Sequence, residues 1–264
     1  MRRTATAGRA PRASLRHKKA EGGDYFASMT DLMLGLLFVF IIMLMAFALN
    51  LREAERKMSS TTRELSEAHE ARREMLRDIA RLLEGHLPVT VDEENGTLQL
   101  GSDVLFPRGS AETYPDALPK LRTLGTALDL VLPCYAVAGD GRLPARCARK
   151  RKGRLEAVYI EGHTDTAPIR TSHFQNNWEL SAARASETLD KLIEGNGDLA
   201  ELRNDRGERL IGVSGYGEYR PVDRTGTEEG MKKNRRIELR FIMVSPETPE
   251  LSRLKEEVRW RESP

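Results

Sequence analysis

Cysteine is scarce in this 264-residue chain, with only Cys134 and Cys147 present. Two thiols cannot complete a tetrahedral zinc site, and no histidine lies close enough in sequence to help them. Charge of one sign is also lacking: 42 Lys and Arg offset 40 Asp and Glu. A net charge of +2 gives no global attraction to nucleic acid or acidic lipid, so a nucleic-acid partner is not expected. Long apolar runs are missing but for one, which excludes a multi-span membrane protein. Neither an HExxH metal motif nor a GxSxG nucleophile elbow occurs. His163, Asp165 and His173 make no metal-ligand pattern, so catalysis, a bound metal and a cofactor are not expected.

The one apolar run is "YFASMTDLMLGLLFVFIIMLMAFAL", residues 25–49. Leu32 to Leu49 are 18 consecutive uncharged residues, and about 20 residues of helix cross a hydrocarbon core. A signal peptide has a shorter apolar region and a small-residue cleavage site. The run is therefore read as an uncleaved single-pass anchor. Seven Lys or Arg in residues 1–24 favour a cytoplasmic N-terminus. The margin is small, five basic residues before the span against four after it within 20 residues.

Asp31 is the only ionisable residue in the run apart from the tyrosine at its start. A carboxylate within a span costs about 2.5 to 3.5 kcal/mol on insertion scales and usually has a function. The alternative is snorkelling, since Asp31 lies six residues after Tyr25, about 9 Å of helix.

Residues 1–24 are basic and aperiodic, which predicts a disordered arm. Residues 50–87 read as a helical stalk. Eight of ten heptad seam positions there are apolar: Leu51, Ala54, Met58, Leu65, Ala68, Met75, Ile79 and Leu82, with Thr61 and Arg72 the exceptions. That pattern suits a dimeric coiled coil or a monomeric solvated helix. "EGHLPVTVDEENG" ends the helix. Beyond it, strand patterns at "TLQLGSDVLF", "LEAVYIEG", "RLIGVSGYG" and "RRIELRFIMV" alternate with helix patterns at "YPDALPKLRTLGTALDLVL" and "NWELSAARASETLDKLIEG". The fold class is thus α+β: a transmembrane helix, a helical stalk, and an α/β sandwich over residues 88–244. Residues 245–264 form a charged extension. Cys134 and Cys147 bracket a Gly/Pro-rich loop that closes as a disulfide or holds two free thiols, and a disulfide would require an oxidising compartment.

Five motifs stand in order through residues 97–243: "DVLFPRGSAE", "EGHTD", "NNWELSAARA", "GYGEYRPV" and "NRRIEL". Their sequence resembles the OmpA-like peptidoglycan-binding domain. The resemblance implies that Asp165 and Arg184 grip diaminopimelate of the peptidoglycan stem peptide, with Asn177 and Thr164 as further polar contacts. A fixed carboxylate and a guanidinium suit that zwitterion. Without the motif order, the two would read as a surface ion pair. The inserted stretch "GRLPARCARKRKGR", with seven Lys or Arg, departs from the family.

The joint architecture resembles the MotB family, and "SMTDLMLGLLFVFIIML" is similar to the segment found in its ZorB branch, part of an anti-phage defence system. The tryptophan usual before the acid in flagellar members is missing. The resemblance implies an inner-membrane subunit of an ion-driven motor with a periplasmic C-terminal domain. Its partners would be a MotA/ZorA-like ring, expected as a pentamer around a homodimer of this chain. Asp31 would carry the translocated proton or sodium. The alternatives are a flagellar stator subunit and a passive tether between membrane and wall.

Overall fold

The computed structural model describes residues 22–136, 147 and 153–245, with side chains from residue 29 onward. The basic arm to residue 21, most of the "GRLPARCARKRKGR" insertion and the extension beyond residue 245 lie outside the described residues. The chain divides into two compact units, Met1–Met58 and Ser59–Pro264.

Helix α1 spans Gly22–Leu83. In the first unit its apolar side chains are exposed, including Leu36, Phe38, Ile42 and Met45. Mean hydropathy reaches 3.0 over an 18-residue window, none of which is buried. Among the described residues, this is the one helix long and apolar enough to cross a membrane. Asp31 is exposed on it.

The second unit starts within the expected stalk. Met75, Leu76, Ile79 and Leu83 of α1 are fully buried, in one core with Leu98, Leu121, Leu128 and Phe241. Ala68 and Ala71 join the same core. The expected boundary at residues 87 and 88 therefore falls inside a single hydrophobic core. Ala68, Met75 and Ile79 are not available as a seam for a second copy. The cause lies in the shared period: a helix covering its own domain repeats its apolar residues at nearly the same spacing as a coiled coil. Arg72, one of the two seam exceptions, donates from Nη2 to the Glu94 carbonyl oxygen at 2.8 Å. Arg77 pairs with Glu93 through two bonds, of 2.8 and 2.7 Å.

Those two acids lie in the turn between β1 (Thr90–Asp92) and β2 (Thr97–Gly101). Short strand β1 hides in the sequence read as a helix break. Helix α2 (Ala117–Val131) follows, then β3 (Leu155–His163), α3 (Asn177–Ile193) and the short α4 (Gly197–Glu201). Strand β4 (Ile211–Gly215), α5 (Glu228–Asn234) and β5 (Arg236–Met243) complete the unit. The sheet order is β1-β2-β5-β3-β4, with β3 and β4 parallel and the other pairs antiparallel. Cys134 and Cys147 are joined by a disulfide.

Helix α3 lies directly on β3 and β4. A Cβ added at Gly162 would stand 2.0 Å from the Ser181 carbonyl oxygen, and one at Gly215 would stand 2.5 Å from the Ala182 nitrogen. Only glycine allows this backbone approach. Alternation then turns Glu161 and His163 to the opposite face of the sheet. There Arg240 makes two 3.0 Å bonds to Glu161 and one of 2.6 Å to Glu238, while Arg236 Nε reaches Glu238 at 3.0 Å. His163 stacks on Tyr216, ring centroids 5.4 Å apart, and Arg220 covers Tyr216 at 3.6 Å.

Because Ile79 is sealed in the core, Ile79→Ala should cost about 2–5 kcal/mol of unfolding free energy. Leu65→Ala, at an exposed seam position, should cost under about 0.5 kcal/mol. Chemical denaturation of the full chain in detergent checks the contrast, which a coiled-coil seam would reverse or level. Stability should also depend on pH through His163. Burial, reinforced by Arg236, Arg220 and Arg240, holds His163 at about 3, below its ordinary 6.5. The unfolded chain takes up this proton first, so stability falls as pH drops from about 6.5 towards 3. His163→Phe keeps the ring and should lose less stability over that window. Melting temperatures at a series of pH values measure it, and parallel curves would refute it.

Candidate functional site

A cavity of about 240 Å³ opens at the end of the sheet where β3 leaves and α3 begins. Thr164, Asp165, Asn177 and Arg184 all line it. Three segments bring them together: the turn after β3, the first two turns of α3, and the loop between β2 and α2.

Asn176 caps α3 by accepting a hydrogen bond from the Glu179 nitrogen at 3.0 Å, and the Glu179 carboxylate accepts from the Gln175 nitrogen at 2.8 Å. This cap sets where the helix starts. Asn177 and Arg184, seven residues apart, then fall on one face, with Leu180 between them. Asn177 Nδ2 donates to the carbonyl oxygens of Ala167 at 3.1 Å and Asp165 at 3.4 Å. Thr164 Oγ1 donates to the Asp165 carbonyl oxygen at 3.0 Å, and Asp165 Oδ1 accepts from the Ala167 nitrogen at 3.0 Å. The turn is thus shaped by the same residues that line the cavity.

Asp165 and Arg184 do not pair with each other, and neither lies on an open surface: they are 6% and 4% exposed. The carboxylate partner is Arg235, whose Nη1 approaches Asp165 Oδ2 at 2.6 Å. Arg235 also makes a two-pronged contact with Asp103, 3.0 Å on each side. Those carboxylates, Asp103 first, raise Arg235 above the ordinary arginine value. Arg184 donates from Nε to the Ser110 carbonyl oxygen at 2.8 Å, from Nη1 to Ser102 Oγ at 3.0 Å and from Nη2 to the Pro107 carbonyl oxygen at 2.9 Å. Its guanidinium lies 5.3 Å from the Phe106 ring centroid. Burial pushes Arg184 down to about 10, which leaves it charged at neutral pH.

Among the described residues no carboxylate stands within ion-pair distance of Arg184. A buried cation without a counter-ion favours an incoming anion. Nearby, Asp103 and Asp165 share one cation, Arg235, so the cavity also offers negative charge. Such a pocket suits a small zwitterion. Arg235 and Asp103 are the members that sequence reasoning passed over, although both stand inside quoted motifs, "NRRIEL" and "DVLFPRGSAE". Asn234, just before Arg235, accepts from the nitrogens of Val222 and Asp223 at 2.9 Å each, which fixes the start of β5. Among the described residues no group of three or more His, Cys, Asp or Glu is placed to hold a metal ion.

Arg235→Ala leaves the nearly buried Asp165 carboxylate without its cation and should cost about 3–5 kcal/mol. Adding Asp165→Asn should restore part of that loss. A double-mutant cycle on thermal unfolding reads the coupling, and simple additivity would show that the pair does not matter.

Residues 144–235 match the OmpA family. Motility protein B of Bacillus subtilis (strain 168) is 42% identical over 85 residues, covering 32% of this chain and 30% of that protein. The uncharacterized protein YtxE of the same organism is 29% identical over 157 residues, 60% of this chain and 52% of YtxE. The chain thus spans about a third and about half of the lengths of these two relatives. A solved MotB-like protein from Desulfovibrio vulgaris is 25% identical, with a TM-score of 0.47 over 68% of this chain and 98% of its own. Within the C-terminal unit, residues 144–235 are thus similar to the OmpA family, in a chain that is similar over part of its length to Motility protein B.

Proposed function

We propose that this chain is a single-pass inner-membrane subunit of a MotA/MotB-like ion-driven motor, anchored to peptidoglycan by its second unit. The observation that carries the anchoring is the convergence of Asp165, Arg184, Asn177 and Thr164 on one cavity with a buried, carboxylate-free guanidinium. Diaminopimelate ends in an ammonium and a carboxylate. Its carboxylate would take the N–H donors of Arg184 that Ser102, Pro107 and Ser110 leave over. Its ammonium would lie against Asp165 and Asp103, and Asn177 and Thr164 would hold the turn in shape around it.

The basic N-terminal flank supports a cytoplasmic N-terminus, and the Cys134–Cys147 disulfide supports an oxidising, periplasmic setting for the second unit. In this reading two copies of the span stand within a ring of MotA-like subunits. Each Asp31 takes up a proton or sodium ion from the periplasmic side and releases it to the cytoplasm. One charge moving down 100 mV releases about 2.3 kcal/mol. That energy turns the ring only when the spans are held, which is the purpose of the wall anchor. The residues around Asp31 favour a defence motor of the ZorB type. The similarity to Motility protein B favours motility instead.

Asp31→Asn should leave membrane insertion and sacculus binding at wild-type levels while abolishing motor-dependent activity in cells. Full activity in that variant would reduce the chain to a passive tether. The double variant Asp165→Ala with Arg184→Ala should lose at least about tenfold in pull-down by purified sacculi. Undiminished capture would mean that the cavity is not the wall site.

A further inference from the structure

The charged residues that line the cavity are Asp103, Arg108, Asp165, Arg184 and Arg235, so two carboxylates face three guanidiniums. Arg235 is taken up by Asp103 and Asp165, and Arg184 by loop oxygens. The surplus cation is Arg108, which is exposed and has no hydrogen bond or ion pair among the described residues. An exposed arginine is ordinarily just a solvated one. This one differs in how its backbone is held. Residues 107–110 form a turn in which the Ser110 nitrogen donates to the Pro107 carbonyl oxygen at 3.2 Å. Gly109 has φ +73°, as the third position of a type II turn requires, and a Cβ there would stand 3.2 Å from Ile169, which lines the same cavity. The carbonyl oxygens at the two ends of this turn, Pro107 and Ser110, accept from Arg184 Nη2 and Nε at 2.9 and 2.8 Å. The buried arginine thus clamps the turn that presents the exposed one. A zwitterionic side-chain end is neutral overall, so it can answer Arg184 and the aspartates and still leave the charge of Arg108 unanswered.

We propose that Arg108 is a specificity-determining residue: it binds a second carboxylate of the stem peptide, so that the site favours stems in which this carboxylate is free over stems in which it is amidated. The inference rests on the wall-binding reading of the cavity. With the side-chain end of diaminopimelate held at the buried Arg184, its main-chain end lies a short methylene chain away, towards the opening that carries Arg108. Two carboxylates of the ligand belong to that end. One is the α-carboxylate of the glutamate that precedes diaminopimelate, left free because that glutamate is linked through its side chain. The other is the main-chain carboxylate of diaminopimelate itself, where the stem ends on it. Either presents the planar pair of oxygens that a guanidinium takes with two parallel bonds. Amidation removes the charge and replaces one acceptor oxygen with an NH2 donor, which then faces a side chain that can only donate. The discrimination therefore has both an attractive and a repulsive part.

The test is calorimetric titration of the full chain in detergent with the alanine–glutamate–diaminopimelate tripeptide in three forms: both carboxylates free, the glutamate carboxylate amidated, and the main-chain diaminopimelate carboxylate amidated. Wild type should bind one of the amidated forms about fivefold more weakly than the free acid, the upper range for an exposed ion pair, and the form affected identifies the carboxylate. The preference should shrink at high salt. Arg108→Gln should bring the free acid down to the affinity of the disfavoured form and abolish the preference, while Arg108→Lys, which keeps the charge without the fork, should retain part of it. The side chain contacts no other described residue through a hydrogen bond or ion pair, so melting temperatures of both variants should match wild type. Equal wild-type affinity for all three probes, or a preference that survives Arg108→Gln, overturns the role of Arg108 and leaves the peptide pocket standing. Binding of none of the probes overturns the wall-binding reading and the inference with it.

Discussion

Arg184 is buried on α3, and its guanidinium donates to Ser102, Pro107 and Ser110. The loop between β2 and α2 takes its shape from those three bonds, since lysine has neither the planar fork nor the number of directed donors to hold three acceptors at once. Burying a charge in this way is unfavourable unless something answers it. Asp103 and Asp165 are near enough to favour the charged form, but both are engaged by Arg235. The cavity is therefore built with a cation that its own carboxylates do not fully satisfy. Its chemistry follows from that imbalance more than from its size.

The placement of Arg184 depends in turn on the contact between α3 and the sheet. Gly162 and Gly215 let the helix backbone rest on β3 and β4, and the Asn176 cap sets which residue begins the first turn. A helix shifted by one residue would rotate Arg184 by about 100° and remove it from the loop it organises. The same strand carries Glu161 and His163 to the other face, where Arg236 and Arg240 compensate the buried carboxylates of Glu161 and Glu238. Strand β3 thus supports two charged layers, and its alternation keeps them apart.

Much of this was legible in the sequence. The apolar run, the alternating strands and helices and the loop bracketed by Cys134 and Cys147 all follow from local pattern, because hydrophobic period and turn chemistry act over a few residues. The ordered motifs pointed to Asp165, Arg184, Asn177 and Thr164, and these do share one cavity. The pairing inside it was not legible. Sequence proximity gave no reason for Asp165 to choose Arg235, 70 residues away, over Arg184. Strand β1 escaped notice as well, since three residues carry too little alternation to be recognised.

The stalk shows where the division falls. The amino-acid order by itself determined that residues 59–83 form an amphipathic helix with apolar residues three and four apart. It did not determine what that stripe would cover, because a second helix and the chain's own sheet demand almost the same spacing. Tertiary structure decided that Met75, Ile79 and Leu83 enter the domain core. It likewise decided that Arg184 is answered by loop oxygens and that Asp165 is answered by Arg235. Periodicity is a local property, whereas the partner of a buried stripe or charge is set by which distant segments fold against it.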